Sequence, residues 1–229
     1  GPFDNFDLKS SHVLPAMLRK FHLAKCLEDN NLEAIRKDLN KRPIEGVSGD
    51  ALEIEIISIL EKHGLTRHPE PVEGDKESDI SNNQQPTTSN QALTTNNQQP
   101  TTSNQAITTN NQQPTTINLW GTGTPMREFL HVDDLAKAVV FAIENKLPEH
   151  LYNVGTGTDV TIKQLAETIQ KEVGHKGNIN WDSSKPDGTP RKLLEVSKLN
   201  KLGWKAEIDL QKGIESTYEW FLENFKSTK

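Results

Sequence analysis

The sequence predicts an α/β fold that carries a long disordered insertion. An apolar run at residues 117–120 leads into two glycines and a proline, and a helical apolar period follows them. This order is typical of a strand, a turn and a helix. The same order returns after residue 151, whereas residues 66–116 are rich in Asn, Gln, Thr and Pro. These observations predict a folded α/β part and one inserted low-complexity segment.

Helical periodicity begins near the start of the chain. At residues 11–27 one face of a 3.6-residue period is apolar, and Pro15 falls in the first turn, where proline is tolerated. The residues on that face are Leu14, Met17, Leu18, Phe21 and Ala24. Helical patterns continue as far as Gly64, which acts as a stop signal. Residues 1–65 are therefore predicted to form a helical part of the fold.

Residues 66–116 contain a repeat of fourteen residues, NNQQPTTSNQALTT, and no charged residue occurs between Asp79 and Arg127. Such a segment has too little apolar surface to offset the entropy that ordering would cost. A solenoid is the rival interpretation, but each repeat offers only one Ala and one Leu or Ile for burial. The composition favours disorder.

Residues 117–229 are predicted to form the remaining α/β part. The helix after the glycine turn has Asp133 and Asp134 near its start, where acidic side chains are favourable. One face of this helix is apolar and is predicted to be buried: Val132, Leu135, Ala136, Val139 and Ile143. A later helix begins with the capping box of Thr161 and Gln164 and ends at Gly174. The remaining predicted elements are strands at 151–154 and 178–181, a short helix at 196–202 and a last helix capped by Asp209.

Composition excludes several classes of function. The formal net charge is −6 and no basic stripe occurs, so nucleic acid is not an expected partner. No apolar run approaches the eighteen or so residues of a membrane span. The single cysteine, Cys26, cannot form an internal disulfide and fits a reducing cytoplasm. The seven histidines lack the ligand spacing of a metal site, and no metal is expected.

The chemistry of three residues can be considered before any family is named. Arg127 follows a glycine-rich turn, where its planar guanidinium suits either a phosphate or a surface ion pair. His12 stands at a helix entrance, as a cap or as a proton donor. Lys20 on its own would be a solvated cation.

Longer stretches carry a resemblance. The segment WGTGTPMREFLHVDDLAKA, with the stretches GPFDNFDLKSSHVLPAMLRKFHLAK, LYNVGTGTDVTIKQLAETI and WDSSKPDGTPRKLLEVSKL, resembles extended short-chain dehydrogenases that act on nucleotide sugars. The similarity is closest to the GDP-L-fucose synthase family. It implies the C-terminal, substrate-binding portion of an extended Rossmann-type dehydrogenase. In that family a half with GxxGxxG and Tyr-x-x-x-Lys precedes this point, so the chain alone is expected to be inactive.

The resemblance also implies roles for individual residues. His12 would be catalytic, as a proton donor in epimerisation, and would contact the NADP cofactor. The remaining implied positions would bind the GDP-linked sugar: Lys20, Trp120, Arg127, Asp187 and Lys192. The reaction would be 3,5-epimerisation and 4-reduction of GDP-4-keto-6-deoxy-D-mannose by a homodimer. The alternatives are another nucleotide-sugar epimerase or reductase, and a noncatalytic remnant.

Overall fold

The computed structural model describes residues 1–67 and 114–226. Within these ranges the helices are α1 (Val13–Glu28), α2 (Leu32–Lys41), α3 (Glu53–Lys62), α4 (Val132–Glu144), α5 (Ile162–Val173), α6 (Ser197–Lys201) and α7 (Leu210–Lys226). The strands are β1 (Leu65–Arg67), β2 (Thr115–Trp120), β3 (Met126–Arg127), β4 (Val160–Thr161), β5 (Asn178–Asp182) and β6 (Arg191–Lys192). The mixed α/β class predicted from the sequence is confirmed.

Two small sheets organise these elements. In the first, β2 lies between β1, which is antiparallel to it, and β5, which is parallel. In the second, β3 lies between antiparallel β4 and parallel β6. Because β2 and β3 are joined by the short loop after Trp120, the glycine turn connects the central strands of both sheets.

Helix α1 forms the centre of the main core. Its apolar face is buried as predicted, with Phe21, Leu18 and Ala24 fully enclosed. This face packs with buried residues of α2, α3, α5 and α7 and with Ile117 of β2. A smaller cluster of Ala138, Leu199 and Trp204 lies beneath α4. The core thus fixes α1, at whose start His12 stands.

Several predicted helix ends are confirmed. Thr161 and Gln164 form a reciprocal capping box, and Gly174 ends α5 in the left-handed conformation with φ of 76°. Asp209 caps α7, because its carboxylate accepts from the Lys212 amide at 2.8 Å. Local capping chemistry was therefore readable from sequence.

Two predictions about the C-terminal part were wrong. The apolar face of α4 is not buried: Leu135, Val139 and Ile143 are exposed. The predicted strand at 151–154 is not a strand, since no strand within residues 1–67 and 114–226 pairs with it. Tyr152 and Val154 pack instead against the small cluster beneath α4.

The boundaries predicted for the insertion also need correction. Thr66 pairs with Thr116, and Arg67 pairs with Thr115. These four residues, which the prediction placed in the insertion, extend β1 and β2 because backbone pairing and burial of Thr115 favour the strand. Residues 68–113, including the predicted disordered repeat, lie outside the described residues.

A buried ion pair joins α1 to α2. The Arg19 Nε and Nη2 atoms donate to Asp38 Oδ2 at 2.8 and 2.6 Å, and both side chains are fully buried. Arg19 also donates to the Phe6 carbonyl at 3.2 Å and to the Arg42 carbonyl. The guanidinium thereby holds three segments together.

His22 occupies a buried position in α1. Its Nδ1 atom lies 3.1 Å from the Tyr218 hydroxyl, and Nε2 lies 3.6 Å from Cys26 Sγ. Burial, assisted by the positive charges of Arg19 and Arg42, lowers the pKa of His22 from 6.5 to about 4. The unfolded chain therefore binds the proton more readily between these values, and stability is lost as the pH falls through this window.

We expect His22 to reduce the free energy of unfolding by roughly 2 kcal/mol when the pH is lowered from 7 to 5. His22→Gln should remove this component of the pH dependence. Urea unfolding at both pH values measures it, with exposed His150→Gln as the control. An unchanged pH dependence in His22→Gln would contradict the assignment.

Candidate functional site

The glycine turn after β2 lies against β5 and against the loop that follows β5. Gly121 and Gly123 have φ of 81° and 74°, which favours glycine. A Cβ atom at Gly121 would collide with the Asp187 carboxylate, and one at Gly123 would lie 2.8 Å from the Trp181 ring. Gly121 therefore permits the close approach of the loop that contains Asp187, and Gly123 permits that of Trp181 in β5.

Asp187 binds this turn directly. Its Oδ1 atom accepts from the Thr122 amide at 2.9 Å, and Oδ2 accepts from the Thr122 hydroxyl at 2.6 Å. The hydroxyl bond, followed by the amide bond, lowers the pKa of Asp187. In this structure Asp187 positions the loop through protein donors; its predicted contact with substrate stays a prediction.

Arg127 and Lys192 are neighbours on adjacent strands. They are paired in the register of β3 and β6, so their side chains share one face. The Arg127 Nη1 atom donates to the Met126 carbonyl at 2.6 Å, and a Cβ added at Gly188 would lie 3.1 Å from Nη2. The neighbouring Arg191 is engaged elsewhere, with Nε 2.6 Å from Asp159 Oδ2. Arg127 and Lys192 thus form a two-cation surface.

A pocket of about 240 Å³ adjoins Arg127. Its lining comes from the end of β3 and the residues after it, from β4 and the turn before it, and from the segment that leads into α7: Arg127, Phe129, Thr156, Thr158, Val160 and residues 206–210. The pocket places the guanidinium next to a space that a small polar group can enter.

Glu128 is a residue of this region that no sequence pattern indicated. Its carboxylate accepts from the Gly157 amide at 2.6 Å, the Leu194 amide at 3.0 Å and the Thr156 hydroxyl at 3.3 Å. Glu128 therefore links residues 155–157, which we call the second glycine turn, to the segment after β6. A Cβ added at Gly155 would lie 2.5 Å from this carboxylate, so the glycine permits its close approach.

Lys20 and Trp120 line a larger cleft of about 840 Å³. The Trp120 side chain is 73% exposed, and Lys185 Nζ lies 5.7 Å from its ring centroid. Burial lowers the pKa of Lys20. Helix α3 and the residues after it also contribute to the lining, through Lys62 and His63. The cleft thus combines a flat aromatic surface with lysines, of which Lys62 is paired with Glu45.

His12 lies outside both lining sets. It occupies the N-cap position of α1, is exposed, and makes no side-chain capping hydrogen bond. The next residue, Val13, lines the larger cleft together with Met17 and Lys20. The structure therefore brings together Arg127 with Lys192 and Lys20 with Trp120, and it leaves His12 at the edge of the larger cleft.

Comparison with known proteins confirms the predicted resemblance to GDP-L-fucose synthases. Residues 89–155 match the NAD dependent epimerase/dehydratase family. The chain is 57% identical over 116 residues to a GDP-L-fucose synthase of Escherichia coli. The aligned region covers 46% of this chain and 36% of that protein. It is 53% identical over 111 residues to a probable GDP-L-fucose synthase of rice, Oryza sativa. That aligned region covers 48% of this chain and 34% of the rice protein.

Solved structures match over most of this chain. A GDP-6-OMe-4-keto-L-xylo-heptose reductase from Campylobacter jejuni is 30% identical with a TM-score of 0.67, covering 98% of this chain and 51% of that protein. A GDP-D-glycero-L-gluco-heptose synthase from the same organism, solved in the presence of NADPH, is 29% identical with a TM-score of 0.64. The match covers 97% of this chain and 50% of that protein. The chain thus spans about a third of the curated relatives and half of these structures. No helix in the described ranges is long and apolar enough to cross a membrane.

Proposed function

We propose that this chain is the substrate-binding half of an NADP-dependent GDP-sugar epimerase and reductase. The proposed reaction is 3,5-epimerisation and 4-reduction of GDP-4-keto-6-deoxy-D-mannose to GDP-L-fucose. The observation that carries it is the pair of cations Arg127 and Lys192 on one face of the second sheet. The names of the similar curated proteins support the same reaction.

The cation pair suits a diphosphate. A guanidinium binds phosphate oxygens through two parallel N–H donors, and a neighbouring ammonium adds a point charge. Asp187 keeps the adjacent turn in place through Thr122. In this proposal the phosphates lie at Arg127 and Lys192, and the anionic ligand is recognised without a metal ion.

The larger cleft suits the remainder of a nucleotide. Its volume of about 840 Å³ falls within the usual range of ligand sites. Exposed Trp120 offers a face on which a purine can stack, and Lys20 supplies a partly desolvated cation. We therefore assign Lys20 and Trp120 to the nucleotide part of the substrate.

His12 is the proposed proton donor. An imidazole changes charge in the physiological range and can deliver a proton to a sugar carbon beside a ketone. The carbon loses one proton to a base and regains one from His12 on the opposite face, which inverts its configuration. The absence of a capping bond from the His12 ring supports this assignment.

The two glycine turns do not fit the diphosphate of the NADP cofactor. The first glycine turn leads into strand β3 instead of a helix, and the Gly157 amide in the second turn is bound by Glu128. A dinucleotide phosphate needs free amides at a helix N-terminus. We therefore assign the NADP diphosphate to a part beyond the described residues and keep His12 as a proposed contact to the cofactor. We propose that the whole protein is a homodimer.

A GDP-heptose reductase is the second candidate. It is favoured by the similarity to Campylobacter jejuni heptose enzymes over 97–98% of this chain. Both candidates bind a GDP-sugar, so turnover of heptose and deoxymannose substrates by a joined two-half protein separates them. A noncatalytic remnant would bind neither.

We expect Arg127→Ala to weaken GDP binding by the full chain by about 10- to 150-fold, because a charge-assisted hydrogen bond is lost. Isothermal titration with GDP measures the change. Arg191→Ala is the matched control, since Arg191 is the adjacent cation but pairs with Asp159. Equal losses for both variants, or no GDP binding by the unmutated chain, would contradict the proposed function.

A further inference from the structure

The first sheet presents a polar face to the larger cleft. In β2, Asn118 and Trp120 alternate with buried residues, because successive side chains of a strand point to opposite faces. In β5, the residues paired with these two are Asn180 and Asp182. All four residues line the larger cleft. An aromatic ring and three hydrogen-bonding side chains therefore stand next to one another on two neighbouring strands.

The two asparagines of this face bind each other. Asn180 Nδ2 donates to Asn118 Oδ1 at 2.8 Å. A primary amide has one oxygen acceptor and two N–H donors, so this bond leaves the Asn180 oxygen and the Asn118 amino group for a ligand. Neither amide makes another side-chain hydrogen bond within the described part of the chain. We call Asn118 and Asn180 the amide pair. It offers one acceptor and one donor on strands about 4.8 Å apart.

The amide pair lies within reach of a base that stacks on Trp120. Two residues along a strand are about 7 Å apart, which separates Asn118 from Trp120 on the same face. Stacked aromatic rings have their centres about 4.5–7 Å apart. A purine on the Trp120 ring therefore brings one of its edges close to both amides. At that edge, guanine carries the O6 acceptor beside the N1–H and N2–H donors, whereas adenine carries an N–H donor in the place of O6.

We propose that the amide pair selects the base of the nucleotide and that the base is guanine. The Asn118 amino group donates to O6, and the Asn180 oxygen accepts from N1–H and N2–H. Adenine would direct an N–H group at the Asn118 amino group and leave buried donors unpaired, which is an effective way to reject a ligand. This assignment rests on the proposed function, because it concerns the same nucleotide.

The selectivity is measured by isothermal titration of the full chain with GDP, IDP and ADP. GDP should bind about tenfold or more tightly than ADP, because the adenine nucleotide loses at least two of the three hydrogen bonds. IDP, which lacks the N2 amino group, should bind about 2- to 12-fold more weakly than GDP, as expected for one lost hydrogen bond. Equal affinities for GDP and ADP would overturn the proposal.

Two substitutions that add the same charge separate the role of each amide. Asn118→Asp keeps the bond from Asn180 but replaces the donor to O6 with an acceptor, so the ratio of GDP to ADP affinity should fall about tenfold or more. Asn180→Asp keeps an acceptor for N1–H and N2–H, so this ratio should stay or rise. The same change of the ratio in both variants would mean that only charge acts, which would overturn the proposal.

Asn178→Asp is the matched control. Asn178 lies two residues before Asn180 on the same face of β5, pairs with Thr116 and is outside the lining of the larger cleft. Its ratio of GDP to ADP affinity should equal that of the unmutated chain. Because none of the three substituted residues is buried, the melting temperature should change equally little in all three variants. A ratio that falls in Asn178→Asp as far as in Asn118→Asp would contradict the assignment.

Arg127→Ala distinguishes this proposal from the proposed function. It should weaken GDP and ADP binding by the same factor, because the diphosphate is common to both. If Arg127→Ala weakens both nucleotides but Asn118→Asp leaves their ratio unchanged, the amide pair is refuted and the proposed function stands. If Asn118→Asp changes the ratio but Arg127→Ala has no effect, the proposed phosphate site is refuted and the amide pair stands. An unmutated chain that binds neither nucleotide would overturn both.

Discussion

Replacement of His12 by asparagine should slow proton exchange at the sugar by about 10²–10⁴-fold in a protein that carries both halves, which is the usual contribution of a positioned acid or base. Asparagine is a strong N-cap residue, and His12 makes no capping bond to lose. The fold should therefore keep its stability or gain slightly. A large loss of the exchange rate without a loss of folding stability is expected of a catalytic side chain.

The measurement is solvent deuterium incorporation at C3 and C5 with saturating substrate. It reports epimerisation without depending on hydride transfer. Arg127→Ala provides the comparison, because a phosphate contact held equally in substrate and transition state changes KM instead of kcat. If His12→Asn exchanged deuterium at the unmutated rate, His12 would be only a residue at a helix entrance.

The largest effect on stability is expected at the buried pair of Arg19 and Asp38. Asp38→Asn removes the negative charge and leaves the Arg19 guanidinium buried without its counter-ion, which costs about 3–5 kcal/mol. Both side chains are fully buried, so solvent cannot replace the lost partner. Urea unfolding of the full chain at pH 7 measures the difference.

Two comparisons make this prediction specific. The double variant Arg19→Met with Asp38→Leu should recover part of the loss, because no unpaired charge remains; the carbonyls of Phe6 and Arg42 still lose their donor. On α2, the helix that contains Asp38, Glu33→Gln removes the exposed ion pair with Lys37 and should leave the free energy of unfolding unchanged. A small loss in Asp38→Asn would show that water reaches this pair.

Local rules predicted much of this fold. The capping box at Thr161, the stop at Gly174 and the apolar face of α1 depend on residues a few positions apart, and all are confirmed. The strand at residues 117–120 and its turn were also found, since glycines marked them. The motif at Arg127 led to a residue that the structure places beside Lys192.

What failed depended on distant partners. The pattern of α4 correctly identified an apolar face, but a sequence period cannot tell what covers that face. Glu128 was missed because its three donors lie 28 to 66 residues away. The Arg19 pair was missed likewise, since nothing in the period of either helix links Arg19 to Asp38.

The pairing of β1 with β2 has a consequence for how this gene can vary. Arg67 lies opposite Thr115, so the polypeptide leaves the sheet and returns to it at one point. The intervening repeat has a unit of fourteen codons, and replication slippage by one unit preserves the reading frame. Copies can then be gained or lost while both strand ends stay paired. Chains with different numbers of repeat units would keep the same pairing of Arg67 with Thr115, and a foreign domain could be inserted at the same point.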